Sequence, residues 1–501
     1  MGYAEKRGDY WRGRFKTSTG KYGTVHDPWG ATARFRSRRE AETAANDAEA
    51  QVRAGRWRDP KSGGTKFADY ANEWYARQDL APSTMQGYRH GLEGHLLPAF
   101  ESHELRAIDR DAIALWMKRE RAVPYAESSV RGWRRLLHLV LADAVEDGLI
   151  PANPAAQPRG RGRRIGRSVN RGPEKVITNA LGVLLVAERA ALLSGRDDEF
   201  VAMVSKGFTG MRWGELVGLE PEYVRETGIR VEWQLYELDN GEFHRCPPKD
   251  ESRRLVMAPS WLLDLARDQV GRAQPKPCPC HGLRYVYSGH RAPNGVTAPG
   301  AKVADVARHA GVSTGTVSAV LNDRGPVTGP TRAKVREAIA ALGYVPGAAA
   351  SAVAPHWRRN GFATWVFQPA ATGRYPKKGP AVARPVPILA GPWPGMPVRG
   401  RNAAGRANAC WAPIAAGLTP HGLRHTYKTI MIELGTPATL MDAQMGHADG
   451  SVQGLYAHVT PEMVRRLLDG LTDLWRAALA QRRQFDRGSP VAVLDRLLRE
   501  K

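Results

Sequence analysis

Two breaks in the sequence constrain this chain more than anything else in it. Residues 58–64 hold Asp59-Pro60 and Gly63-Gly64, dipeptides that stop helices and strands alike. Residues 159–173 interleave arginine with glycine, from Arg159-Gly160-Arg161-Gly162-Arg163-Arg164 to Arg171-Gly172-Pro173. Like charges at that density repel and cannot pack against one another, so no single core runs through this stretch. The 501 residues therefore divide into a short first piece, a middle piece and a long final piece. That agrees with about three to four domains for a chain of this length.

Composition narrows the class. With 42% hydrophobic and 25% charged residues, the chain is an ordinary globular one, not globally disordered. It has no run of about 18 apolar residues, which rules out a helical membrane span, and residues 1–21 offer no signal peptide. Four cysteines in 501 residues make no disulfide framework and fit a reducing compartment. The expected location is cytoplasmic and nucleoid-associated, away from membranes. The 73 Lys and Arg against 50 Asp and Glu leave a net charge of +23. Such an excess points to a polyanion, most often nucleic acid, with charge kept for solubility as the plainer reading.

Within the first piece (1–60), Tyr10-Trp11-Arg12-Gly13-Arg14-Phe15-Lys16 alternates at period two and predicts a strand. Further strands are expected over 22–26 and 32–36, then a helix from Ser37 to about Gly55. Arg12, Arg14, Arg34 and Arg36 would offer a basic sheet face to a DNA groove, or merely a solvated edge. The middle piece (65–155) reads as a helical bundle. Phe67, Tyr70, Trp74 and Tyr75 share a helix face, as do Ile113, Trp116 and Met117, and Val130, Trp133, Leu136, Leu137, Val140 and Leu141. The arginines of the second break, Arg161, Arg163 and Arg164 among them, are suited to lie along phosphates as a strap between domains. Beyond it, strands are expected over 229–238, 255–258 and 285–288, and a helix over 261–272. Residues 355–410 are rich in Pro and Gly and poorly periodic. No Asp or Glu occurs from 338 to 432, and regular helical pattern resumes at His421.

Three short segments carry chemistry: Thr209-Gly210-Met211-Arg212-Trp213-Gly214-Glu215-Leu216, Thr419-Pro420-His421-Gly422-Leu423-Arg424-His425-Thr426, and Gly446-His447 followed by Tyr456-Ala457-His458-Val459. Each alone has a plain explanation. Arg212 and Glu215 are spaced as a surface ion pair, His421 and Arg424 share a helix face, and a tyrosine after a helix is usually core. Together, and in this order, they resemble the tyrosine recombinase (phage integrase) family. The helical bundle resembles that family's core-binding domain, and the first piece resembles its arm-binding domain.

The resemblance implies a multidomain chain, mainly α with small β-sheets, with a mixed α/β catalytic domain over 172–485. It implies DNA cleavage by a phenol, Tyr456, that forms a 3′-phosphotyrosine link and needs neither ATP nor metal as cofactor. Arg212 and Arg424 would bind the phosphate oxygens bidentately, and His421 and His447 would donate hydrogen bonds or move protons. Lys249, in Pro247-Pro248-Lys249-Asp250-Glu251, would protonate the leaving 5′-hydroxyl; Glu215 would orient the arginines. The implied partners are double-stranded attachment sites, a homotetramer on DNA, a directionality factor and a DNA-bending protein. Two rivals remain at this point: a type IB topoisomerase-like enzyme and a DNA-binding regulator without catalysis.

Residues 303–353 interrupt this domain. Val303-Ala304-Asp305-Val306-Ala307-Arg308-His309-Ala310-Gly311-Val312-Ser313, with Thr316-Val317-Ser318 and Gly343-Tyr344-Val345-Pro346, resembles the helix-turn-helix of the lactose-repressor family. The insertion is expected over 301–354, followed by the 355–410 segment. Thr314, Thr316 and Ser318 would face DNA. Gly315 lies early in the recognition helix and weakens it; Ser351 and Val353 depart from the family's hinge. Cys278-Pro279-Cys280-His281, with His290 nearby, matches no finger spacing, and Cys-x-Cys bites tightly. Loop packing is the expectation there, with no metal.

Overall fold

The computed structural model describes residues 2–17, 20–27, 31–54, 64–156, 174–289, 303–321, 327–342, 356–376, 382–391, 395–398, 402–447 and 458–500. It separates into two compact units, Met1–Val169 and Asn170–Lys501. The fold is mainly helical with small sheets, as expected.

In the first unit, β1 (Tyr3–Arg7), β2 (Tyr10–Lys16) and β3 (Tyr22–Thr24) form an antiparallel sheet in that order. Alternation along β2 turns Phe15 inward, where it is 1% exposed, toward the side covered by α1 (Arg38–Arg53). The expected capping of α1 is present: Ser37 accepts from the Glu40 N–H, and Glu40 reaches back to the Ser37 N–H. Two expectations need correction. β1 was not foreseen, because Tyr3–Arg7 carries no clean alternation. Residues 32–36 form no strand and make only single bridges, His26 to Thr32 and Trp11 to Phe35.

The helical part of this unit runs through α2 (Phe67–Ala76), α3 (Pro82–Gly91), α4 (Leu97–Phe100), α5 (Arg110–Ala122) and α6 (Glu127–Glu146), with a π turn joining α3 to α4. The aromatic and aliphatic stripes meet in one core of Phe67, Tyr70, Trp74, Trp116, Leu137 and Val140. Tyr70 keeps its hydroxyl satisfied by donating to Asp147 at 2.7 Å. The arginines Arg161, Arg163 and Arg164 lie outside the described residues.

The second unit is built on α7 (Ala180–Ser194) and α8 (Asp197–Thr209). α7 is apolar almost all round and buried along most of its length, and α8 is buried from Glu199 to Thr209. Around them stand α9 (Trp213–Val217) and two antiparallel ladders: β4 (Gly228–Val231) pairs with β7 (Arg254–Met257), and β5 (Gln234–Glu237) with β6 (Phe243–Cys246). α10 (Ser260–Ala273) follows. Residues 285–287 are buried but form no strand; Val286 donates to the Leu219 carbonyl at 2.8 Å instead. The inserted helices α11 (Val303–Ala310), α12 (Thr314–Leu321) and α13 (Gly329–Ala341) have a small core of their own, around Val306, Val317 and Val335.

The Pro- and Gly-rich stretch after the insertion holds regular structure among its described residues. α14 (Arg359–Phe362) runs through a π turn into α15 (Gln368–Thr372), and Trp357, Phe362, Phe367 and Ala370 join the main core. Periodicity failed here because the α-helical pieces are short and a π turn between them shifts the buried face. The minimal strands β8 (Pro387–Ile388) and β9 (Ala409–Cys410) pair beyond it. α16 (Gly422–Glu433), α17 (Ala438–Met445), α18 (Pro461–Phe485) and α19 (Ala492–Arg499) complete the chain. Leu467, Leu471 and Trp475 of α18 pack into their own domain, with Trp475 stacked on Trp261 at 4.4 Å. Val493, Leu494 and Leu498 extend that core past the expected end at 485.

α18 is fastened to α7 by a fully buried pair: both Glu188 oxygens accept from Arg482 at 2.8 Å. Breaking one side of such a pair strands a charge in low dielectric. Glu188→Ala is expected to destabilise this unit by about 3–5 kcal/mol in urea unfolding, and Glu188→Leu with Arg482→Met to recover most of the loss. A single-variant cost within experimental error would contradict this.

Candidate active site

The site assembles from the ends of four helices and one strand. Glu215 lies in the first turn of α9 and is 2% exposed. Its Oε2 accepts the Arg212 backbone N–H at 2.7 Å, and its Oε1 accepts from Arg212 Nη1 at 2.8 Å. Arg254, at the start of β7, donates to the same two oxygens at 3.1 and 2.8 Å. Burial alone would raise the Glu215 pKa; hydrogen bonding and charge from Arg254, then Arg212, outweigh it and hold the pKa down at about 2. Arg212 also donates to Ser252 Oγ at 3.0 Å and points Nη2 at the Gly446 carbonyl, 3.5 Å away.

Arg424 comes to the same place from α16. It is 4% exposed, donates to the Gly210 carbonyl at 2.7 Å and also to the Met445 carbonyl. Burial, then the Arg212 charge, lowers its pKa to about 10, so it stays cationic at neutral pH. Its Nη2 lies 3.2 Å from His447 Nε2. A guanidinium has no acceptor, so Nε2 accepts and the His447 proton sits on Nδ1, toward Asp442 at 3.6 Å.

Two glycines make these carbonyls available. Gly210 ends α8 at φ +62°, and Gly446 ends α17 at φ +64°. A side chain at Gly446 would meet Arg254 Nη1 at 2.9 Å, and one at Gly210 would meet the Tyr427 ring at 2.6 Å. The glycine before His447 is thus dictated by left-handed backbone and by close approach.

His421 precedes α16 by one residue, a turn before Arg424. It reaches the surface, yet enclosure of its ring and then the Lys206 charge lower its pKa to about 4. It is neutral at pH 7. Lys249 is exposed, in a turn between β6 and β7 where Asp250 and Glu251 are both left-handed, at φ 58° and 51°. It stands three residues before Ser252, which touches Arg212. Tyr456 lies outside the described residues.

The geometry therefore joins Arg212, Glu215, Arg424 and His447 in one contact network, with His421 and Lys249 on its flanking segments. Sequence reasoning missed two members. Arg254, five residues after Lys249, carried no assigned role in the sequence reading. Lys206 is the other, a lysine in the apolar run of α8, fully buried and donating to the Met211 carbonyl at 2.6 Å. A charged residue inside an otherwise buried helix was the available signal.

Of the other predicted contacts, Arg12 is held by Glu5 at 2.8 Å and Arg14 donates to Thr24 at 2.6 Å. Arg34 stacks over Tyr10 at 4.9 Å, and Arg36 is exposed. In the insertion, Ser313 accepts the Thr316 N–H at 3.1 Å, the expected cap of α12; Thr314 and Ser318 are exposed, and Thr316 is half-buried.

Three segments match known families. Residues 66–119 match the phage integrase N-terminal SAM-like domain, residues 401–463 the phage integrase family, and residues 302–347 the lacI family of bacterial regulatory proteins. Over 62 residues the chain is 37% identical to tyrosine recombinase XerD of Staphylococcus saprophyticus and 36% identical to that of Staphylococcus aureus. The first two of these segments are similar to parts of tyrosine recombinases. The XerD similarity covers 12% of this chain, and the chain spans about a fifth (21%) of the length of these curated relatives. Among solved structures, the Tn1549 transposon integrase in complex with transposon right end DNA is similar at TM-score 0.43 and 15% identity, over 81% of this chain and 100% of that one. A lambda integrase dimer bound to a core site is similar at 0.38 and 14%, over 91% and 94%. Likenesses that loose carry no conclusion about this chain.

Burial, opposed by the Glu215 charge, lowers the Lys206 pKa to about 7 from 10.5. Between those values the unfolded chain binds a proton that the folded chain does not, so stability must rise with pH. Urea midpoints are expected to climb from pH 7 to 10 relative to Lys206→Met. Parallel pH curves for the two proteins would contradict the assignment.

Proposed function

We propose that this chain is a site-specific DNA recombinase that cuts and rejoins duplex DNA through a 3′-phosphotyrosine link, as the integrase of a phage or another mobile element. The observation that carries the reading is the convergence of Arg212 and Arg424 on the adjacent carbonyls of Gly446 and Met445, beside His447. Arg212 and Arg254 both pair with the buried Glu215 carboxylate, and Arg424 adds a third cation beside them, which leaves an excess of positive charge for an anion. The XerD similarity and the phage integrase matches favour the same chemistry.

In this mechanism the Tyr456 phenol oxygen attacks the scissile phosphorus and the bond to the 5′-oxygen breaks. Charge gathers on the non-bridging oxygens, where Arg212 and Arg424 can present the donors that their protein partners leave over. Two Arg424 donors are already fixed on carbonyls, which locks the guanidinium plane before DNA arrives. Neutral His421 is able to take the phenol proton, and His447 steadies the Arg424 guanidinium through Nε2. Lys249 gives its proton to the departing 5′-hydroxyl. The phosphotyrosine retains the bond energy, so a second 5′-hydroxyl reseals the strand without ATP. Exchange between two sites calls for a tetramer on two duplexes, with a directionality factor and a DNA-bending protein as accessories. Residues 1–60 would hold arm-type sites, 65–155 the core site, and Thr314, Thr316 and Ser318 a further DNA segment.

A second reading, a DNA-binding regulator without catalysis, draws on the lacI-family match alone. One assay separates the two. The protein is mixed with nicked attachment-site DNA, without nucleotide, and resolved under denaturing conditions. A covalent band is expected, abolished by Tyr456→Phe, with Arg424→Lys forming it about 10²–10³-fold more slowly. DNA binding with no covalent band would favour the regulator.

A further inference from the structure

We propose that Cys278, Cys280, His281 and His356 form a four-coordinate zinc site that closes the base of the inserted segment. The two cysteines and His281 are neighbours in sequence; His356 comes from the far side of the insertion. One ligand atom from each lies within 4.8 Å of all the others. The Cys278 and Cys280 sulfurs are 3.5 Å apart, Cys278 Sγ is 3.6 Å from His281 Nδ1, and Cys280 Sγ is 3.3 Å from His281 Nδ1 and 3.2 Å from His356 Nε2. A tetrahedral ion with bonds of about 2.3 Å to sulfur and about 2.0–2.1 Å to nitrogen sets S···S edges near ~3.8 Å and S···N edges near ~3.5 Å. Four of the six edges agree with that to within about 0.3 Å, and the other two, from His356 to Cys278 and to His281, are no longer than 4.8 Å.

The surroundings prepare the ligands. His281 Nε2 donates to the Phe243 carbonyl at 2.8 Å, which fixes the tautomer and leaves the Nδ1 lone pair facing the sulfurs. The His281 backbone N–H points at Cys278 Sγ from 3.3 Å, a contact that favours thiolate over thiol. His356 is 1% exposed, its Nδ1 has no hydrogen-bond partner among the described residues, and its Nε2 faces the Cys280 sulfur. An imidazole buried with so little polar company is costly; a metal bond offsets that cost. Two thiolates would neutralise a dication, and two sulfurs with two imidazoles in tetrahedral array select zinc over harder ions.

The placement gives the ion a task. Residues 282–355 lie between the third and fourth ligands and include the whole lacI-family match, 302–347. Bonding His356 to the Cys-x-Cys-His turn joins the two stems where the chain leaves and re-enters the main core. Through Phe243 the turn also grips β6, the strand before the Lys249 turn. Next to His356, Trp357 stacks on Tyr287 at 5.7 Å and lies 6.2 Å from Trp213, the neighbour of Arg212. The ion thus ties the insertion's base to the segment that frames the active site, leaving α11 to α13 outside the tie. The inference stands independently of the recombinase reading.

The test is metal content of the full chain, purified without chelator and measured by elemental mass spectrometry. About one zinc per chain is expected, falling below about a tenth in Cys280→Ser and in His356→Gln, while Cys410→Ser keeps it. Should those variants fail to fold by circular dichroism, cobalt exchange into the unaltered chain replaces them. A tetrahedral visible spectrum with a thiolate charge-transfer band is then expected. Absence of bound zinc after incubation with stoichiometric zinc, zinc retained by folded Cys280→Ser, or a Cys278–Cys280 disulfide in protein kept under reductant would each overturn the proposal.

Discussion

A single carboxylate, Glu215, holds the candidate active site together. Arg212, Arg254 and Arg424 would repel one another strongly in a site of low dielectric, and the Arg424 pKa already registers the Arg212 charge. Glu215 takes both nitrogens of Arg254 and both the side chain and backbone of Arg212. Arg254 is spent inside the protein, as the inner half of a buried pair. Arg212 and Arg424 keep donors for something outside. The division is one of partners and not of burial: Arg424 is 4% exposed and Arg254 8%, but Arg254 has both terminal nitrogens on Glu215.

Backbone does the remaining positioning. Helix ends leave carbonyls without intrahelical partners, and here those of α8 and α17 are turned to the arginines by left-handed glycines. Arg424 is therefore oriented by Gly210 and Met445, groups that no side-chain substitution elsewhere can remove. The insertion leaves this arrangement undisturbed because it enters after buried Tyr287 and returns at buried His356 and Trp357. Its own core of Val306, Val317 and Val335 is self-contained. Such an extra segment is tolerated where it leaves and re-enters through closely held stems.

Much of this was legible in the sequence. The stripes Phe67, Tyr70, Trp74 and Leu136, Leu137, Val140 became core because helical periodicity is a local signal. The motif residues Arg212, Glu215, Arg424 and His447 met because each lies at a helix end that a cap or a glycine fixes. What stayed hidden is long-range. Arg254 acquires meaning only when β7 pairs with β4 and brings it under Glu215. Residues 356–372 look unstructured until the main core encloses Phe362 and Phe367. His356 stands across the entire insertion from Cys280, and spacing rules for metal ligands search only nearby residues. β1, with its irregular Tyr3–Arg7, is stabilised by pairing to β2 and not by its own pattern.

The most direct measurement is the chemical identity of the protein–DNA bond. The chain is trapped on nicked attachment-site DNA, digested with protease and nuclease, and the nucleotide-bearing peptide is sequenced by mass spectrometry. A 3′-nucleotide carried on the peptide containing Tyr456 is the expected result. A nucleotide on any other residue, or on the 5′ side of the break, would contradict the account.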